Sequence, residues 1–200
     1  MNIILAGGFK GLEKENTVIS IAKELVSRGN KVALLITEHL ENENGKTDTG
    51  GPGLVIREKI SSCVSCSFIF DLIAEIENMN EQGPFDHMVI ELPFNSMPFE
   101  VKESLENYRF PDVSFSPVIH IFDINSLEID ATLIPRVVSN QIKESDIVFV
   151  NTDHATPDKV TSLREVLGQI NPDVEIFESS YDSKYHGLSD FVDMITTSSA

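Results

Sequence analysis

A chain of 200 residues, 41% hydrophobic and 24% charged, has an ordinary globular composition and enough length to bury a core in one domain. Its formal net charge of −17, with no Lys/Arg cluster to offset it, opposes a phosphate backbone, so nucleic acid is excluded as a partner. No apolar run approaches the roughly 18–20 residues of a membrane span.

The opening "MNIILAGG" is a short apolar run closed by paired glycines and predicts a buried strand. No basic segment precedes it, as a secretion signal would require. "EKENTVISIAKELVSRGN" follows with Val18, Ile21, Ala22 and Leu25 at helical spacing, stopped by Gly29-Asn30. "KVALLIT" predicts a second apolar strand, so the first 35 or so residues form a βαβ unit with parallel strands. Residues 40–62, with "ENENGKTDTGGPG", predict a long polar loop.

"SFIFDLIAEIENMNEQG" is an amphipathic helix, "HMVIELP" a strand closed by Pro93, "PFEVKESLENY" a helix and "SPVIHIFDI" a strand. "DATLIPRVVSNQIKES" predicts a helix in which Pro135 kinks the chain or starts the second part. "DIVFVN" is a strand and "TPDKVTSLREVLGQI" a helix, with Thr156 at its N-cap and Pro157 in its first turn. "VEIFES" and "LSDFVDMI" complete the alternation as strand and helix. The expectation is a single domain over 1–195 with a frayed tail at 196–200. Its fold class is α/β, a doubly wound and mainly parallel sheet flanked by helices.

The turn after the first strand has the outline of a phosphate-binding loop. Such a loop presents backbone N–H groups and a helix N-terminus to phosphates, with a lysine on the β/γ oxygens and a Ser/Thr on Mg²⁺. Laid on G-x-x-x-x-G-K-[ST], the chain reads Gly8-Phe9-Lys10-Gly11-Leu12-Glu13-Lys14-Glu15. The first glycine and the lysine are present. Glu13 stands at the second glycine position and Glu15 at the hydroxyl position. A carboxylate about 4 Å from a phosphate, at an effective dielectric near 20, is repelled by on the order of 4 kcal/mol. Two readings stay open for these glutamates: favourable first-turn partners of the helix dipole, or occupants of their own empty cradle.

Four further stretches, in the same order as the elements, complete a pattern. "SCVSCSFIFDL" holds a cysteine pair ahead of a helix. "FDHMVIELPF" matches D-x-x-x-x-E-x-x-G through Asp86 and Glu91, with Phe94 at the glycine. "QIKESDIVFVNTDHA" parallels a strand ending in N-K-x-D, keeping Asn151, with Thr152 and His154 at the Lys and Asp positions. "LGQINPDVEIFESS" parallels L-x-x-x-N-P-x-A-x-I-x-x-T-S. Together they resemble the CobW/HypB/UreG family of P-loop metallochaperone GTPases across most of the chain.

The resemblance implies a P-loop NTPase-like fold of the SIMIBI type. It implies GTP with Mg²⁺ at Gly8, Gly11, Lys14, Glu15, Glu91, Asn151 and Asp153, the last in place of the base-reading aspartate after a one-residue shift. The departures at 13, 15, 94, 152 and 154 fall on independent nucleotide contacts and imply weak or absent hydrolysis.

Cys63 and Cys66, spaced C-x-x-C, suit a soft or borderline metal such as Zn, Ni or Co. A four-ligand site lacks a second pair, which the family resemblance would supply from a second subunit of a homodimer. A redox pair and plain buried cysteines are the alternatives. Two cysteines without a secretion signal place the chain in the reducing cytoplasm. Glu38 and His39 read as loop residues near the same cleft. His87, His120, His154 and His186 lack ligand spacing and read as structural or solvated, and Asp123 reads equally as a ligand-edge or a turn residue.

Three functions follow from this reading. The first is an accessory or assembly factor for a client metalloenzyme or metal-cofactor protein, with no catalytic residue assigned. The second is an atypical but active GTPase or ATPase metallochaperone, in which Lys14 and Thr17 rearrange. The third is a noncatalytic protein-interaction module.

Overall fold

A computed structural model describes residues 1–9, 11–37, 52–58, 66–125, 133–152, 155–179 and 186–197. Apolar runs and amphipathic segments alternate along the chain and fold accordingly. Strand β1 (Asn2–Gly8) leads into α1 (Leu12–Ser27), then β2 (Val32–Ile36), β3 (Leu54–Glu58), α2 (Cys66–Gln82) and β4 (His87–Glu91). Then come α3 (Pro98–Tyr108), β5 (Ser114–Phe115), β6 (Ile119–Asp123), α4 (Arg136–Lys143), β7 (Ile147–Asn151), α5 (Pro157–Ile170), β8 (Glu175–Ser179) and α6 (His186–Thr197).

The strands form one sheet in the order β3-β2-β4-β1-β6-β7-β8, with β5 paired to the start of β1, and every pairing is parallel. β1 lies at the centre, where its seven residues are all buried. That explains its continuous apolar run, because a parallel strand covered on both faces has no solvent side to mark with polar residues.

Alternate residues of the strands feed the two layers. Ile4 and Ala6 of β1, with Val32, Leu34, Val89, Ile119 and Phe149, pack against Val18, Ile21 and Leu25 of α1 and Phe191 and Ile195 of α6. On the opposite face Ile3, Leu5, Leu35 and Ile90 meet α2 and α3, while Phe122, Val148 and Val150 meet α4 and α5. This is the doubly wound α/β arrangement expected from the alternation.

Three local expectations are refined. The stretch 40–62 reads as a loop throughout, but β3 lies inside it and pairs with β2 from Val32↔Leu54 to Ile36↔Glu58. Only two residues long, β5 falls in a stretch whose pattern predicts no element. In α4 the proline starts the helix rather than kinking it: Pro135 is the N-cap, with ψ 138°, and the helical residues begin at Arg136. Thr156 caps α5 as expected, its hydroxyl accepting from the Lys159 amide at 3.4 Å.

Candidate functional site

The carboxyl ends of β1, β4, β6 and β7 converge on the turn between β1 and α1, the place where open α/β sheets bind ligands. Two glycines let the turn pass. Gly8 has φ +143°, and a Cβ there would lie 2.5 Å from the Ile121 carbonyl oxygen of β6. At Gly7 a Cβ would lie 2.6 Å from Cγ of Pro98, the first residue of α3. Gly11 differs: its φ of 171° is ordinary extended backbone, and a Cβ there meets nothing within 4 Å. Gly8 is therefore required by the fold itself, whereas among the described residues nothing crowds a side chain at Gly11.

Lys14 enters α1 at its first turn and points inward. Its side chain is 1% exposed; Nζ donates to the Leu92 carbonyl at 2.8 Å and lies 3.4 Å from Glu91 Oε1. Glu91 is itself 2% exposed, and its backbone carbonyl accepts from the Thr37 hydroxyl at 2.8 Å. Thus the lysine of the phosphate-loop pattern and the acid of the D-x-x-x-x-E-x-x-G pattern form a buried ion pair that ties α1 to the end of β4. Such a pair has a large desolvation cost, which is offset only by good geometry and additional hydrogen bonds.

A second contact closes the other side. Asn151, at the end of β7, donates from Nδ2 to Glu13 Oε2. The residue at the second glycine position therefore reaches across to the residue at the base-reading asparagine. Glu13 and Glu15 both sit in the first turn of α1, where the helix N-terminus favours negative charge. The geometry turns Glu13 toward β7, and Glu15 is half-buried. Phe94, at the glycine position after Glu91, packs edge-on against Phe9 of the loop with ring centroids 6.4 Å apart, and both rings are about two-fifths exposed.

His120 on β6 pairs in register with Gly7 and is wholly buried. Burial, helped by the nearby Lys14 charge, pushes its imidazole down to about 3, so it is neutral at pH 7. Asp123 behaves as a turn residue, its Oδ1 accepting from the Asn125 amide at 2.8 Å.

Of the residues assigned to nucleotide from sequence, Gly8, Gly11, Lys14, Glu15, Glu91 and Asn151 gather at this one edge of the sheet, and Asp153 lies outside the described residues. So do Cys63, Glu38, His39 and His154. Cys66 opens α2, and its side chain is likewise outside the description. Among the described residues no three His, Cys, Asp or Glu side chains gather as a metal centre, and no helix is long and apolar enough to cross a membrane. Sequence reasoning missed Thr37 and Gln141 as residues that shape this edge; both are polar residues within apolar patterns, the one signal that could have marked them.

A model of the CobW/HypB/UreG nucleotide-binding domain matches residues 3–178. The chain belongs to this family. Among solved structures, the Zn(II)-bound YjiA GTPase from E. coli is similar in fold, with TM-score 0.61 and 19% identity over 96% of this chain and 62% of that one. The hydrogenase maturation factor HypB from Archaeoglobus fulgidus has TM-score 0.62 and 11% identity over 98% of this chain and 89% of that one. HypB from Helicobacter pylori, solved in complex with nickel, has TM-score 0.60 and 14% identity over 98% and 86%. The present chain thus spans less than two thirds of the YjiA protein. The SIMIBI-type P-loop fold expected for a CobW/HypB/UreG member is the one seen here. Among curated protein sequences none matches the chain significantly.

Proposed function

We propose that this CobW/HypB/UreG-family chain is an accessory or assembly factor for a metalloprotein or metal-cofactor protein in which the ancestral nucleotide site is closed on itself. The observation that carries the reading is the pairing of Lys14 with Glu91 and the Leu92 carbonyl, both inside the fold. A phosphate-binding lysine has to present its ammonium to the loop. Here that ammonium is held inside the fold by the Leu92 carbonyl and the Glu91 carboxylate, and moving it outward would break both contacts.

The Asn151–Glu13 hydrogen bond supports the same reading from the base side. An incoming guanine would have to displace a carboxylate from the asparagine that should receive it. An incoming triphosphate would meet Glu13 and Glu15 on the first turn of α1. A carboxylate about 4 Å from a phosphate opposes binding by on the order of 4 kcal/mol at an effective dielectric near 20, so Mg-GTP and Mg-ATP are expected to bind more weakly than micromolar.

What the chain keeps is the scaffold and the Cys63/Cys66 pair. The Zn(II)-bound YjiA and nickel-bound HypB structures support soft-metal handling as the retained trait, with the cysteine pair as the proposed ligands and a second copy of the chain as the source of two more thiolates. Elemental analysis of the purified protein, with nucleotide extraction from the same sample, tests this. The expected result is Zn, Ni or Co at about one ion per two chains and no guanine nucleotide. Stoichiometric GTP without metal would overturn it.

A further inference from the structure

The apolar face of α4 is interrupted by Gln141, which is 0% exposed between Val138 and Ile142 on the face that covers β6 and β7. Its Nε2 donates to two main-chain carbonyls, those of Phe94 and Ser96, each at 2.7 Å. Both belong to the loop between Glu91 and α3. Further back, the Leu92 amide donates to Ala6 O at 2.9 Å, and the Ser96 amide turns onto Pro93 O at 2.9 Å. Leu92 also supplies the carbonyl that holds Lys14. The loop is therefore pinned at its far end by Gln141 and presents its near end to the lysine.

We propose that Gln141 is a positioning residue, a latch from α4 whose grip on the Phe94 and Ser96 carbonyls keeps the Leu92 carbonyl on Lys14 and so holds the loop closed. The inference rests on the closed-site reading above and names what controls it.

Core satisfaction alone explains this glutamine poorly. Among the described residues its Oε1 is buried without a hydrogen-bond partner, as are Ser96 Oγ and both ring nitrogens of His120. His120 lies on the same sheet face: its register partner Gly7 points toward Pro98, and its neighbour Phe122 packs in the α4 cluster. A side chain chosen only for packing at position 141 would be apolar, like its neighbours, and would leave no stranded oxygen. The glutamine is tolerated with one half unsatisfied because the other half holds the loop. The Ser145 hydroxyl, donating to the Gln141 carbonyl at 2.7 Å, anchors the helix from which the latch reaches.

Gln141→Met keeps the length of the side chain and deletes both polar atoms. The readout is the rate at which a lysine-selective acylating reagent modifies Lys14, measured by peptide mass spectrometry on the intact folded protein without nucleotide. Lys14 in the parent should react slowly, being 2% exposed. Gln141→Met should raise that rate tenfold or more, and Gln141→Glu, which cannot donate to two carbonyls, should do the same. Val138→Ala creates a cavity on the same helix face and serves as the control for general destabilisation; its Lys14 rate should stay within twofold of the parent. Should Gln141→Met fail to fold, the labelling rate of Gln141→Glu decides between latch and no latch. Unchanged Lys14 labelling in the folded variant, or an equal rise in Val138→Ala, would overturn the latch. Because no nucleotide enters the experiment, tight GTP binding by the parent would sink the closed-site function without deciding this result.

Discussion

Lys14→Met is expected to destabilise the protein severely, because the lysine works inside the fold. The Lys14 and Glu91 side chains are 1% and 2% exposed, with Nζ and Oε1 3.4 Å apart. At that distance and an effective dielectric near 20 their attraction is about 5 kcal/mol. The substitution also removes the donor to the Leu92 carbonyl. Relief from burying the ammonium offsets part of this, leaving a net loss of about 3–5 kcal/mol, the range for breaking a buried ion pair. Total stability of a domain is only roughly 5–15 kcal/mol. Urea unfolding followed by circular dichroism should then show the midpoint lowered by about 2 M, for a slope near 2 kcal/mol per M. Lys14→Met/Glu91→Gln should recover part of the loss, since a carboxylate no longer lies buried opposite an apolar side chain. A lysine held ready for phosphate would behave otherwise, leaving the Lys14→Met midpoint within about 0.3 M of the parent, and that outcome would show that the pair does not support the fold.

Acid sensitivity provides a second check. The unfolded chain takes up a proton on His120 below about pH 6.5, and the folded chain does so only near 3. The contribution of this residue to stability is therefore full above pH 6.5 and falls by about 1.4 kcal/mol for each unit of pH lost below it. His120→Leu should gain about 2 kcal/mol on the parent between pH 7.5 and pH 5 in paired unfolding curves; a constant difference would place the imidazole in water. Gly8→Ala should cost about 3 kcal/mol or prevent folding, from its positive φ and the Ile121 carbonyl 2.5 Å from the new methyl, whereas Gly11→Ala should be near neutral. Comparison of the two melting curves decides it, and equal costs would contradict the turn geometry. Cys63→Ser/Cys66→Ser should lose bound metal by elemental analysis and unfold at the midpoint of the metal-stripped parent; retained metal would exclude the cysteine pair as ligands.

The layers of this fold are legible because each apolar run and each helical stripe says which face is buried. Val18, Ile21 and Leu25 face the sheet as their spacing requires. β3 is harder to see. Its five residues follow a glycine-rich stretch, and Val55 and Arg57 are exposed at the sheet edge, so neither length nor apolar content marks them. The candidate site is legible as a set of positions: Gly8, Lys14, Glu91 and Asn151 meet at the sheet edge the motif order predicts. What they do there is not. A local motif gives the direction of Lys14 only by analogy, whereas its partner Leu92 lies 78 residues away. Glu13 and Asn151 are 138 residues apart. Gln141 looks like one polar residue in a helix until the carbonyls it holds are seen. These are tertiary pairings, and no window along the chain contains both members.

Isothermal titration calorimetry of the purified chain with Mg-GTP, repeated with Mg-ATP, puts the closed site to its most direct trial. A closed site gives no binding heat at micromolar to tens-of-micromolar protein and releases no phosphate over hours. Saturable one-to-one binding in the micromolar range, accompanied by steady turnover, would contradict it.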